Sequence, residues 1–456
     1  SKSWDKMVQD LSRMLEIAEN DGDKVDVYVQ LGQLHARQLE KPEQATAYYE
    51  EALKLDGGNL GALEALEGIC REEEKWSQLL DVLRRKVDST DDPSVIAKAK
   101  LQLAESLVEH FDDRTKAISY YEEVLEDQPD NLDGLRGVEP LYMATEQWDK
   151  LPAILEAELA AVGTPKERIA ILGKLARLHE EEFLKPEPAA DWYQQVLDVD
   201  PSNVEALRRL EGLYRQLQRW DDLVGTLERH IEVTPERSDK VECHKRIGEL
   251  FAKELREPAR AIEAYTAILD LEEDNEALDK LAGLYEQVEE FSMAIDKLEM
   301  LVERESEPAR QVDLNFRMGR VLEEHLGDRG AAVERYERAI DIDESHLPAL
   351  EAMRRIYVDN GDWFDAARTL RKEIEHQTSS RVLARLNVEL GRLEADQLED
   401  REKAIACFEK ALEHDDASED AALPLVDEYV QLEKWEQALP LLRLLTRQSG
   451  KRPVEE

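Results

Sequence analysis

The groups in this chain that could do covalent or metal chemistry are nine histidines, three cysteines and a large surplus of carboxylates. A nucleophilic site needs a thiol or hydroxyl within reach of a base, and a zinc site needs thiolates or imidazoles at short fixed spacing. Cys70, Cys243 and Cys407 stand far apart and in no CxxC pattern, which suggests neither a disulfide framework nor zinc and favours a reducing compartment. Cys243 and His244 are adjacent, so a helix would send their side chains in diverging directions. Glu180–Glu181 and Glu323–Glu324 have the composition of an acid/base dyad. In a chain so rich in carboxylates such pairs are expected as solvated faces. No phosphate-cradling glycine loop, GxSxG or HExxH occurs. No catalytic, metal-binding or cofactor-binding residue is assigned, and the chain is expected to be no enzyme and to need no cofactor.

The elements that would have to position any site repeat. Trp4, Trp76, Trp148, Trp220, Phe291, Trp363 and Trp435 recur every 71 or 72 residues, in settings such as "EKWSQLL" and "QRWDDLV". A second register holds Tyr49, Tyr121, Tyr193, Tyr265, Tyr336 and Phe408, each preceded four residues earlier by alanine (Ala45 to Ala404). A third holds Gly32, Ala104, Ala176, Gly248, Gly319 and Gly391, and a fourth Cys70, Tyr142, Tyr214, Tyr285, Tyr357 and Tyr429. Four registers sharing one period mark a stacked repeat protein. Apolar residues three and four apart, as in "EQATAYYEEALKLD", make each unit helical, and "DGGN", "QPDN" and "DPSN" break the helices. Each 72-residue unit divides into two helix–turn–helix halves. The tryptophan opens the second helix of every second hairpin and is expected to pack against the neighbouring hairpin. His35 and His179 share a position where an aromatic is usual and are expected to pack.

This pattern of small residue, aromatic, alanine, aromatic and turn resembles the tetratricopeptide repeat (TPR) family, as in "NVEALRRLEGLYRQLQRWDDLVGTLERHIEVTP" at 203–235. The resemblance covers nearly the whole chain. It implies an all-α fold, a right-handed α-α superhelix or solenoid of about twelve TPR-like hairpins with a 72-residue double-repeat period. The segments are a lone second helix at 1–23 and double repeats at 24–94, 95–165, 166–237, 238–308 and 309–380. A sixth double repeat with a C-terminal tail occupies 381–456. The motifs at 59–92 and 131–164 carry Leu for Ala, so shifted packing is expected there.

The 456 residues carry 36% charged side chains and a formal net charge of -44. Such a chain repels phosphate backbones and anionic lipid, which argues against nucleic acid and membrane surfaces as partners. No apolar run reaches the length that spans a bilayer. "SKSWDKMVQD" is not a signal peptide, and the missing initial Met suggests a processed or excised chain. A cytoplasmic location is the expectation.

What remains for function is a surface. The resemblance implies an interaction scaffold that binds partner peptides or helices along the first helices of its hairpins, within a multiprotein assembly. On that mapping the candidate partner-binding residues are Arg177, Arg208, Lys245, Arg320, Arg355 and Arg392, among carboxylates such as Glu105, Glu109, Glu249, Glu323 and Glu324. An acidic partner would meet these cations, whereas the net charge favours a basic one. Two alternatives stand beside the scaffold: a regulatory or substrate-docking region of a larger enzyme, and a self-associating array. Leu439, Leu441, Leu442, Leu444 and Leu445 give the last helix an apolar character that suits self-association.

Overall fold

The computed structural model describes residues 2–449, with side chains over 4–446. Residues 450–456, the end of the segment expected as the sixth double repeat and C-terminal tail, lie outside the described residues. The described chain consists of helices joined by short turns and loops and holds no strand. The chain forms two compact units, Ser1–Val233 and Thr234–Glu456.

The first unit opens with α1 (Lys2–Ile17). Hairpins follow: α2 (Asp21–Arg37) with α3 (Pro42–Leu55), α4 (Leu60–Glu72) with α5 (Trp76–Asp88), and α6 (Pro93–Phe111) with α7 (Arg114–Asp127). Next come α8 (Leu132–Ala144) with α9 (Leu151–Ala161), α10 (Pro165–Arg177) with α11 (Pro186–Val199), and α12 (Val204–Gln216) with α13 (Trp220–Val233). In the second unit the hairpins are α14 (Arg237–Lys253) with α15 (Pro258–Leu271), α16 (Asn275–Gln287) with α17 (Phe291–Arg304), and α18 (Pro308–Val321) with α19 (Arg329–Ile342). Then come α20 (Leu347–Asn360) with α21 (Trp363–His376), α22 (Ser380–Asp396) with α23 (Arg401–His414), and α24 (Glu419–Gln431) with α25 (Trp435–Ser449). Within each unit, helices pack mainly on their neighbours in the chain, as stacked hairpins do.

Local chemistry sets the boundaries. Asn59, Asn131 and Asn203 cap α4, α8 and α12, each accepting the N–H three residues on at 2.9–3.0 Å. Where the turn proline is lost, the cap survives by other means. Asp274 caps α16 at 2.8 Å, Ser418 caps α24 at 3.3 Å, and the His346 imidazole caps α20 at 3.2 Å. Helices end in left-handed residues that are seldom glycine: Glu40, Asp112, Leu184, Arg256 and Glu399 close first helices, and Gly327 holds the corresponding place once.

The registers meet inside the hairpins. Tyr49, Tyr121, Tyr193, Tyr265, Tyr336 and Phe408 are all buried. A side chain added at Gly319 would come within 2.4 Å of the Tyr336 ring, and Gly32, Gly248 and Gly391 face Tyr49, Tyr265 and Phe408 in the same way. Where Ala104 replaces the glycine, the Tyr121 ring lies instead against Gly137 of α8, where an added Cβ would sit 2.4 Å from the ring. The fourth register is tied by hydrogen bonds: Tyr142 donates to Glu122 at 2.6 Å and Tyr429 to Glu409.

Joints between hairpins also hold charge. Lys86, buried in α5, donates to Glu67 of α4 at 3.0 Å, and Gln102 of α6 donates to the same carboxylate at 2.8 Å. The corresponding residues one double repeat on are Glu139, Glu158 and Lys174. Lys174 reaches Glu139 at 2.6 Å, while Arg136 takes Glu158 at 2.9 Å. In the fifth double repeat the signs are reversed: Arg354 donates to Glu373 at 2.9 Å and also to Glu389. Burial raises the Glu373 pKa and Arg354 opposes that shift. Buried pairs of this kind fix which surfaces can dock more than they add stability.

Candidate functional site

Two first helices end differently from the others. After α10 the backbone widens into a π turn over Leu178–Glu182, closed by the Phe183 N–H donating to the Leu178 carbonyl at 3.1 Å. After α18 it does the same over Leu322–Leu326. Such π turns are uncommon and concentrate at functional sites. Each contains one of the glutamate pairs, and neither pair is simply a solvated face. Tyr193 donates to Glu180 at 3.1 Å and Tyr336 to Glu323 at 2.9 Å. Arg209 adds a contact to Glu180 at 3.4 Å, and Arg355 grips Glu323 at 2.6 Å. Burial, with these carboxylates, pushes both tyrosine hydroxyls well above their usual pKa. These glutamates anchor the turns, and the dyad chemistry their sequence resembled has no support in this geometry.

The two turns part company at the aromatic register. Phe291 stacks on His325 of the second turn, with ring centres 4.1 Å apart and planes at 9°. Trp76 stacks on His110 in the same manner at 3.6 Å. The residue that corresponds to these histidines in the first turn is Glu182. Trp148 therefore has no ring to stack on, and it borders a pocket of about 320 Å³. Leu151, Leu155 and Leu178 are buried at its floor, and Met143, 50% exposed, stands beside Trp148. Glu139, paired with Lys174, together with Arg177, Glu181 and Glu182 supplies the polar lining.

Backbone chemistry explains why this joint stays open. Pro152, one residue inside α9, has no N–H to give to Trp148, and the chain enters the helix through a 3-10 turn at Trp148–Lys150. The other five aromatic-led helices after α1 begin as regular α-helix at the aromatic itself. Pro140 lies inside α8 between Glu139 and Met143 and removes a further helical hydrogen bond. Thr164 caps α10 as a capping box, accepting from the Glu167 N–H at 3.3 Å and donating to its carboxylate at 2.6 Å. Two residues past Glu182, Leu184 holds a left-handed conformation and is 76% exposed. Every corresponding position is Glu, Asp, Arg or Gly. The shifted packing expected at 131–164 is thus seen, as a 3-10 entry and an open joint; α5 within 59–92 is regular.

The six cations expected to bind a partner are dispersed over both units. Arg177 lines the Trp148 pocket and a second, smaller one beside Tyr193. Arg208 is exposed on α12. Lys245 is held by Asp274 at 2.8 Å and Glu276 at 3.0 Å, which raise its pKa. Arg320 pairs with Glu324 at 3.2 Å, Arg355 with Glu323, and Arg392 with Asp420 at 2.9 Å. The structure brings Arg320 and Arg355 together at the second π turn. Arg392 joins Arg381 and Arg385 in a pocket of about 460 Å³ on α22. Sequence reasoning missed Trp148, Met143, Glu139 and Lys174 as lining residues. The available signals were Pro152 behind the tryptophan and Glu182 where two other copies place histidine.

His35 and His179 pack as expected, 5.1 Å from the Tyr48 ring and 5.2 Å from the Phe183 ring, and burial lowers both pKa values. Among the described residues no His/Cys/Asp/Glu group is arranged to hold a metal, and no helix is long and apolar enough to cross a membrane.

Sequence profiles of the tetratricopeptide repeat match residues 25–59, 98–131, 206–241 and 384–417, hairpins from both units. The chain is a tetratricopeptide-repeat protein. Solved structures similar to this TPR chain include one of Naa15/Naa10 bound to HypK-THB, at 14% identity over 98% of this chain and 75% of that one, with a TM-score of 0.35. YrrB, described as a TPR protein with an unusual peptide-binding site, is 21% identical over 41% of this chain and 92% of its own, with a TM-score of 0.29. The C-terminal part of a TPR repeat-containing protein from Cytophaga hutchinsonii is 15% identical over 56% and 97%, with a TM-score of 0.33. No curated protein sequence matches.

Proposed function

We propose that this TPR protein is a non-enzymatic scaffold that binds another protein, and that the Trp148 pocket is a principal contact point. The observation that carries the reading is the open joint itself. One hairpin junction keeps Trp148 unstacked, Met143 half out and three leucines at a floor, where two homologous junctions, Trp76–His110 and Phe291–His325, are sealed by an aromatic stack. An apolar socket with a polar rim is the form of a protein-docking point. The ion pairs of Lys245, Arg320, Arg355 and Arg392 argue against a row of free cations awaiting an acidic partner.

A photo-activated crosslinker placed at Met143 tests the reading in the native cell. Capture of a defined protein there, and not from the same crosslinker at exposed Met293 of α17, is the expected result. Equal capture at both positions, or none at Met143, would remove the pocket from the binding surface.

A second reading, self-association, has its own observation. Trp435, Leu439 and Leu442 of α25 are exposed, as are Met7, Met14 and Ile17 of α1. Light scattering over a concentration series tests it: a mass that stays at 52.4 kDa throughout would exclude it.

A further inference from the structure

The Trp148 pocket also carries information about what enters it. This step rests on the docking reading above and specifies the partner. Leu151, Leu155 and Leu178 give the pocket a buried apolar lining, and the one buried polar side chain among the lining residues, Glu139, is taken by Lys174. At about 320 Å³ it lies at the small end of ligand pockets, about 300–1,000 Å³, and so suits one large side chain better than a cofactor. The rim is asymmetric in its free charge. Glu139 and Lys174 neutralise one another at 2.6 Å. Glu180 is consumed by Tyr193 and Arg209. Glu181 lies 3.8 Å from an Arg209 already held by Glu205 at 3.1 Å, and among the described residues no cation is paired with Glu182. Two exposed carboxylates thus stand at the mouth against one exposed cation, Arg177, on a chain whose net charge of -44 draws cations from a distance. Exposed Leu184 extends the apolar surface past the turn.

We infer that the pocket receives a long apolar side chain from a partner segment in which that residue is flanked by lysine or arginine. The apolar residue sits on Trp148 and the three leucines, and the flanking cation meets Glu181 and Glu182. Affinity comes mainly from burial, and charge decides which segments approach.

The test uses the whole chain and synthetic capped peptides titrated by calorimetry: one with leucine between lysines, one with leucine between glutamates, and one with alanine between lysines. The leucine–lysine peptide is expected to bind at least about tenfold more tightly than either other peptide, and to weaken as salt is raised. Replacing both Glu181→Gln and Glu182→Gln should cost about tenfold for that peptide. Glu324→Gln, the counterpart of Glu181→Gln at the sealed turn, should leave it unaltered. Circular dichroism checks that each variant stays helical. Equal or tighter binding of the leucine–glutamate peptide, indifference to the first pair of substitutions, or no binding of the leucine–lysine peptide would overturn the inference. If the Met143 crosslinker captures a partner while the leucine–lysine peptide does not bind, the docking site stands and this account of its occupant falls. If Met143 captures nothing, the docking site itself falls.

Discussion

The π turns at Leu178–Glu182 and Leu322–Leu326 share a backbone form, a glutamate pair and a tyrosine that ties the first glutamate down. One is sealed and the other opens onto a pocket. The difference lies in two residues per joint. The sealed turn offers His325 to Phe291, and α17 starts as α-helix under that ring. The open one offers Glu182, and Pro152 forces a 3-10 entry beneath Trp148. In a stack of similar hairpins a site can therefore arise by withholding a contact that two other copies make. The fold pays little for it, because each hairpin leans mostly on its neighbours.

Six substitutions, in four steps of decreasing effect, press on this comparison. The largest effect should come from the shared anchors. Tyr193→Ala and Tyr336→Ala should each destabilise their own unit by about 3–5 kcal/mol, the usual cost of emptying a large buried aromatic site. Denaturant unfolding followed by a probe in each unit reads this. A loss confined to one of the two variants would show that the turns are not equivalent.

Next is the tight seat of the ring. Gly319→Ala places a methyl 2.4 Å from Tyr336 and should cost about 1–3 kcal/mol by overpacking. The first unit already carries Ala176 at that place, so its ring must sit differently. A neutral Gly319→Ala would mean that the second unit can adopt the same accommodation.

Smaller again is the exchange of seals. Glu182→His should let an imidazole cover Trp148 and stabilise the joint by about 0.5–1.5 kcal/mol, while His325→Glu should cost the second unit a similar amount. Thermal melts of both variants measure it. Opposite signs support the stacking account, and equal signs defeat it.

The smallest concerns pH. The His35 and His179 pKa values lie below the ordinary 6.5 in the folded chain because burial disfavours the charged ring. The unfolded chain then binds more protons, so stability should rise with pH through this range and be lost as pH falls below about 6.5. His35→Phe should flatten part of that slope in denaturation midpoints taken between acidic and neutral pH.

The sequence made the scaffold legible and concealed the site, for a physical reason. Registers such as Tyr49 to Phe408 and Ala45 to Ala404 report contacts that every copy makes, so periodicity exposes them. The Trp148 pocket is a local arrangement, visible only once it is set beside Trp76–His110 and Phe291–His325, the stacks that close two other joints. The glutamate pairs misled in a related way: as letters they matched either dyads or surface, while the π turns that recruit Glu180 and Glu323 to tyrosines have no sequence signature. The pairing of the cations was hidden because their carboxylate partners, such as Asp274 for Lys245 and Asp420 for Arg392, lie about a helix hairpin away in the chain. The alternating charge of the buried joints at Glu67, Glu139 and Arg354 was open to the same register analysis and marks where hairpins are told apart.

The most direct measurement follows the methionine methyl groups by NMR in the parent chain and in Glu182→His while the leucine–lysine peptide is added. The account predicts that the Met143 signal shifts in the parent chain, that the Met293 signal stays still, and that Met143 no longer responds once the imidazole covers Trp148. A Met143 signal that ignores the peptide in the parent chain, or that responds equally in Glu182→His, would contradict the claim that this joint is open for binding.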